Sequence, residues 1–146
     1  MNYFDKTYLC FITSDGDREA KDIFDERIKK NLWPIYHRTM QFRKVKKNTE
    51  VIFYLAGTGN SSQNFIAKAT VDKIIDPKER KNSSSGKVKF FTTFKNYKKF
   101  KSQINVRENL DNLTFIINKD KYGLSFQGGV TEMDETSYNY LINKSK

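Results

Sequence analysis

Few residues in this chain could carry catalytic chemistry. His37 is the one histidine and Cys10 the one cysteine. Nucleophilic catalysis of the Ser-His-Asp or Cys-His kind would have to run through His37. That residue lies beside Tyr36 and Arg38 in a segment that reads as an exposed loop, which suits a surface or pocket rim. One Cys and one His make neither an internal disulfide nor a zinc site. Cys10 sits in the apolar run Leu9 to Ile12 and reads as a buried, inert thiol. There is no P-loop, and Gly57-Thr58-Gly59 lacks the third glycine of a dinucleotide fingerprint. Asp76 with Glu79-Arg80-Lys81 has the residue types of a metal nuclease, two carboxylates for Mg²⁺ and a lysine for the attacking water. Its spacing is too short to cross between strands, and Pro77 and the serine run mark a loop. No catalytic residue, cofactor or metal is expected.

Binding chemistry is better supplied. The formal net charge is +10. From Arg38 to Lys101 there are 16 Lys or Arg against Glu50, Asp72, Asp76 and Glu79, a net of +12. The rest of the chain therefore sums to −2. A one-sided positive field suits a polyanion such as nucleic acid, although lysine-rich surfaces also serve solubility. Unpaired or flipped bases are held by aromatic stacking and by hydrogen bonds to their edges. Trp33, Tyr36, Tyr54, Phe126 and Gln127 are the residues that could build such a pocket, Tyr54 and Phe126 being equally suited to a core.

The elements that must position these groups follow from patterning. At 146 residues the chain fits one domain, residues 1–146. Its hydrophobic fraction of 37% is low, so the 14% of aromatic residues must supply much of the core. Tyr8 to Thr13 reads as a buried strand. Ser14 offers a helix N-cap, and Ala20, Ile23, Phe24 and Ile28 recur at helical spacing, predicting a helix over 18–30. Leu32 to Thr39 reads as a loop, because Pro34 stops a helix and extends Trp33.

Val51 to Leu55 is a strong strand and 57–63 a turn cluster. Phe65 to Ile75 is a second strand with one irregularity near Ala69. Residues 76–87 form a charged loop, and Val88 to Tyr97 alternates as a strand. Leu113 to Ile117 reads as a short strand or a helical turn, Leu124 to Phe126 as a short apolar piece, and Asp134 to Lys144 as a terminal helix. Five to six strands with two flanking helices predict an α+β domain around a small curved sheet or pseudo-barrel. The N-terminus lacks the order of a signal peptide and no apolar run reaches membrane-span length, so a cytoplasmic protein with no membrane partner is expected.

The order YLCFIT, helix, LWPIYHRT, FRKVKKNTEVIFYLAG and NFIAKATV, closing with YGLSFQGGVTEMDETSYNYLI, resembles the EVE domain of the PUA-like superfamily, related to YTH and ASCH domains. No one motif is highly specific; the ordered set covers nearly the whole chain. Leu9, Pro34, Lys47-Asn48-Thr49 and Ile66-Ala67 depart from the family pattern. The resemblance implies a PUA-like pseudo-barrel that reads a modified base of DNA or RNA in an aromatic pocket. By matching position it implies a pocket of Thr13, Ser14, Trp33, Tyr54, Ser125, Phe126 and Gln127. Hydroxyl, amide or backbone groups at Ser14, Ser125 and Gln127 would read the base edge. Arg43, Lys44, Lys46 and Lys47 would hold phosphates. The alternatives are a small nuclease or base-processing enzyme, and a small-molecule or protein-interaction module on the same fold.

Overall fold

The computed structural model describes residues 7–59, 61–79 and 87–146. Its elements are β1 (Tyr8–Thr13), α1 (Ala20–Lys30), β2 (Trp33–Tyr36), β3 (Glu50–Leu55), β4 (Asn64–Ile75), β5 (Val88–Asn105), β6 (Val130–Met133) and α2 (Glu135–Lys144). The strands form one mixed sheet in the order β2-β5-β4-β3-β1-β6, curled into a half-barrel. β1 and β3 run parallel, and every other neighbour is antiparallel. A parallel pair needs a crossover, and here α1 and β2 lie in the chain between its two strands.

Apart from Thr13 and Glu50 at their ends, β1 and β3 are apolar because both of their faces are covered. Leu9, Phe11, Val51, Phe53 and Leu55 join a core under α1 with Ala20, Phe24, Trp33 and Phe94. Tyr8, Cys10, Ile12, Ile52 and Tyr54 face the other way, to a core closed by Leu113, Ile116, Phe126, Tyr138 and Leu141. The first core is an aromatic cluster. Trp33 meets Phe11, Phe24, Phe53 and Phe94 at ring separations of 5.2 to 6.0 Å. Cys10 is fully buried, and burial raises its thiol pKa well above the ordinary value. That agrees with an inert role.

Bulges curl the sheet. The β4–β5 register shifts three times, between Phe65 and Ala67, Lys68 and Thr70, and Val71 and Lys73. The sequence predicts one shift; a strand that must wrap a half-barrel needs several, since each bulge adds local bend and twist.

Three further expectations change, one segment settles between its two readings, and one strand is added. α1 begins at Ala20, not near residue 18, and Ser14 does not cap it. The Asp15 carboxylate accepts the Ala20 N–H at 2.9 Å and the Thr58 N–H at 3.1 Å, tying the helix start to the β3–β4 loop. Residues 33–36 are an edge strand rather than a loop; β2 pairs only with β5, so Pro34 withholds no hydrogen bond from a further neighbour. β5 runs eight residues beyond Tyr97. Of the two readings of Leu113 to Ile117, the strand is absent and the helical-turn end fits, since Leu113 is the C-cap of a 3₁₀ turn at Arg107–Asn112; Leu113 and Ile116 are buried apolar plugs. β6 is a short strand that polar Thr131 and Glu132 conceal.

Candidate nucleic-acid interface

The turn after β2 is fixed by its own hydrogen bonds. Tyr36 N–H donates to Thr39 Oγ1 at 2.9 Å, and Thr39 N–H to the Tyr36 carbonyl at 3.0 Å. The segment before β6 then closes over it. Met40 N–H donates to the Gly128 carbonyl and Ile12 N–H to the Gly129 carbonyl, both at 2.8 Å. Gly129 has φ +83°, and a Cβ on Gly128 would lie 2.7 Å from that of Met40. Gly128 therefore demands glycine for the close approach, and Gly129 for its left-handed backbone. The result is a cleft at the C-terminal end of β1, between α1, β2 and residues 127–130.

The cleft encloses about 300 Å³, at the lower end of the range for ligand pockets. Ile12, Ile23, Ile35 and Val130 give it apolar walls; Ser14, Asp15, Tyr36, Thr39 and Gln127 supply polar groups. Trp33 contributes to the lining although it is only 2% exposed. Its ring is a floor, and the Arg27 guanidinium lies 4.9 Å from its centroid, within cation–π reach. Burial pulls the Arg27 pKa below its ordinary value, and contact with Tyr36 opposes this. Tyr36 is 39% exposed and is the accessible aromatic ring of the cleft.

On the far side of Tyr36 lies a wider pocket of about 660 Å³, lined by His37, Arg38, Thr39, Lys87, Gly128 and Gly129. Among the described residues of that lining, Arg38 and Lys87 face no carboxylate. The neighbouring α1 surface is different, because Glu26 pairs with Arg18 at 2.9 Å and with Lys30 at 3.2 Å.

The expected site residues divide. Ser14, Trp33 and Gln127 come together in the cleft. Thr13 is adjacent in sequence but buried, its hydroxyl without a hydrogen-bond partner among the described residues. Tyr54 and Phe126 do not reach the cleft. They stack on each other, ring centroids 3.9 Å apart and planes 13° apart, inside the opposite core. Strand parity explains it: Phe53 and Tyr54 point to opposite faces, and Phe53 takes the α1 side. The Tyr54 hydroxyl donates to Gln63 at 3.1 Å, and burial raises its pKa. Ser125 is half-buried and is not part of the cleft lining.

Arg43, Lys44, Lys46 and Lys47 are exposed on the turn before β3 and outside the lining of both pockets. Lys44 approaches Glu132 at 3.7 Å. Patterning gave no reason to single out Arg27, Arg38 and Lys87. Arg27 lines the cleft and Arg38 and Lys87 the wider pocket, with Tyr36, Thr39 and Gly129 common to both, and a Gly-Gly pair directly before a strand is the one local sign of that closure.

Asp76 is exposed and accepts the Lys78 N–H at 2.9 Å. Arg80 and Lys81 of the nuclease-like pattern lie outside the described residues. Among the described residues no three His, Cys, Asp or Glu gather into a metal-holding group. No helix there is long and apolar enough to cross a membrane.

Solved structures resemble this architecture along almost its whole length. A YTH domain-containing protein mmi1 and RNA complex aligns with TM-score 0.61 at 14% identity, covering 95% of this chain and 80% of that one. The YTH domain of Zygosaccharomyces rouxii MRB1, in complex with N6-methyladenosine RNA, gives 0.59 at 9% identity, covering 98% and 88%. The fold is PUA-like. Human THYN1, an EVE-domain protein in complex with 5-methylcytosine-containing DNA, shares this PUA-like fold with TM-score 0.57 at 10% identity, covering 97% and 98%. No family model and no curated protein matches the sequence. Identities this low establish the PUA-like fold and leave the ligand to the chemistry of the cleft.

Proposed function

We propose that this protein is a non-enzymatic nucleic-acid reader that takes an unpaired or flipped, modified base into the cleft at the end of β1. Solved structures of the same fold hold methylated RNA or DNA, which supports the reading. The observation that carries it is the convergence of Ser14, Trp33, Tyr36 and Gln127 around one apolar-walled cleft beside Arg38 and Lys87, which have no ion pair among the described residues.

In this reading the base stacks on Tyr36 above the Trp33 floor. Stacking on an aromatic ring contributes about 1–3 kcal/mol per base. Ser14 and Gln127 form hydrogen bonds to its edge, and Ile12, Ile35 and Val130 give an added methyl group an apolar contact. Arg38 and Lys87 hold the flanking phosphates. Thr13, Ser125 and the 43–47 turn support this site from outside it, the turn through general electrostatic attraction.

The test is a binding screen of modified and unmodified oligonucleotides at two salt concentrations, with wild type, Tyr36→Ala and Gln127→Ala. The expected result is a base preference in wild type that both variants lose, with salt-dependent binding retained. Equal affinity of wild type for every base would overturn the pocket.

A further inference from the structure

A second cationic site lies away from the cleft. Beside the C-terminal end of α2, Lys68 of β4, Lys98, Lys99 and Lys101 of β5, and Lys146 line a groove of about 130 Å³ with Phe100, Ile142 and Ser145. Among the described residues, no carboxylate side chain belongs to that lining and none of these lysines has an ion pair. Lys68 and Lys98 are direct register partners on neighbouring strands, an arrangement in which like charges repel. Asn96, at φ +57°, lies where the register skips from Lys95 to Lys98, so residues 95–99 are exposed without a break. The end of α2 supplies an opposing partial charge of about half an elementary charge, far short of what five ammonium groups require.

We propose that this groove docks the phosphates of a nucleic-acid backbone independently of base identity, so that the protein holds its target at two places. The proposal rests on the nucleic-acid reading above but not on the base pocket. The groove is too small for a nucleobase and suits a phosphate group, for which lysine acts as a compact point charge. It borders the α2-side core through Phe100, whereas the cleft floor, Trp33, belongs to the α1-side core.

Another role for such lysines is edge protection, since β5 beyond Thr92 has β4 as its one partner and charged edges discourage aggregation. The experiment separates the two. Binding of an unmodified single-stranded oligonucleotide is measured from about 50 to 300 mM salt for wild type, for Lys68→Gln/Lys98→Gln/Lys99→Gln/Lys101→Gln, and for Lys98→Gln/Lys99→Gln. A control with equal charge loss elsewhere is Lys21→Gln/Lys29→Gln/Lys119→Gln/Lys121→Gln. Each lost phosphate contact lowers the slope of log K against log salt by about 0.7 for a single strand. The quadruple variant should lose about 3 from the slope, the double variant about half of that, and the control much less. An unchanged slope in the double variant overturns the proposal, as does an unchanged slope accompanied by self-association. An equal drop in the control also overturns it, since the loss would then follow net charge. A lowered slope in a protein with no base preference leaves the groove standing and removes the pocket instead.

Discussion

Two aromatic arrangements face opposite sides of the same sheet, and they differ in what surrounds them. Tyr54 and Phe126 stack at 3.9 Å with Phe65 and Phe115 edge-on around them, sealed inside the α2-side core. Trp33 and Tyr36 sit three residues apart on an edge strand, one forming a floor and the other half open. Ring chemistry is alike in both. The difference is position: a ring on central β3 is covered on both faces, whereas a ring at the end of edge strand β2 has solvent on one side. Accessible aromatic surface here therefore comes from a strand end and the loops that close over it, not from the most aromatic strand.

This contrast can be broken by mutation. The largest effect is expected for Phe126→Ala, which removes half of the buried stack and should cost about 3–5 kcal/mol of stability, measured by urea denaturation. A cost below about 1 kcal/mol would show that the stack is not core. Trp33→Phe keeps an aromatic ring in the α1-side cluster and shrinks the cleft floor. It should cost about 1–2 kcal/mol in the same assay and weaken any base preference.

The helix caps are smaller contributors. Asp134 caps α2 by accepting Ser137 N–H at 2.8 Å, and Thr114 Oγ1 donates to it at 2.6 Å. Burial alone would raise its carboxyl pKa, but the hydrogen bonds from Ser137 and Thr114 outweigh it and hold the group below the ordinary value. A depressed folded-state pKa gives stability that is present above the unfolded pKa and lost as pH falls through the folded one. Asp134→Ala should therefore cost about 1 kcal/mol near neutral pH, and the gap to wild type should close as the solution is acidified below about pH 4. A gap independent of pH would refute the capping role. Smallest of all, Tyr36→Ala should change stability by no more than about 0.5 kcal/mol, because its ring is the exposed member of the pair. A large loss would mean that Tyr36 belongs to the core.

Much of the fold was legible where residues are covered on both sides or capped locally. YLCFIT and VIFYL are continuous apolar runs, and Asp134 stands directly before a helical pattern with Ser137 three residues on. Edges were harder. β2 hides behind Pro34, β6 is four residues long, and the end of β5, KNYKKFKSQIN, lacks alternation because much of it is exposed. The start of α1 departs from the pattern because Asp15 binds the helix N-terminus across a loop, which local cap rules do not describe.

The site was half legible for the same reason. Ser14, Trp33 and Gln127 converge, whereas Tyr54 and Phe126 fall on the sealed face because one step along a strand reverses the side chain. Arg27, Arg38 and Lys87 come from three separate elements, and nothing local in their spacing announces that they meet around Tyr36.

The most direct test of the account is the ratio of affinities for modified and unmodified oligonucleotides of one sequence, measured for wild type and Tyr36→Ala at fixed salt. The account predicts a ratio well above one in wild type that falls toward one in the variant, by about five-fold or more if a stacking contact of about 1–3 kcal/mol is lost, while binding to the unmodified strand and its salt slope persist. A preference that survives Tyr36→Ala undiminished would contradict it.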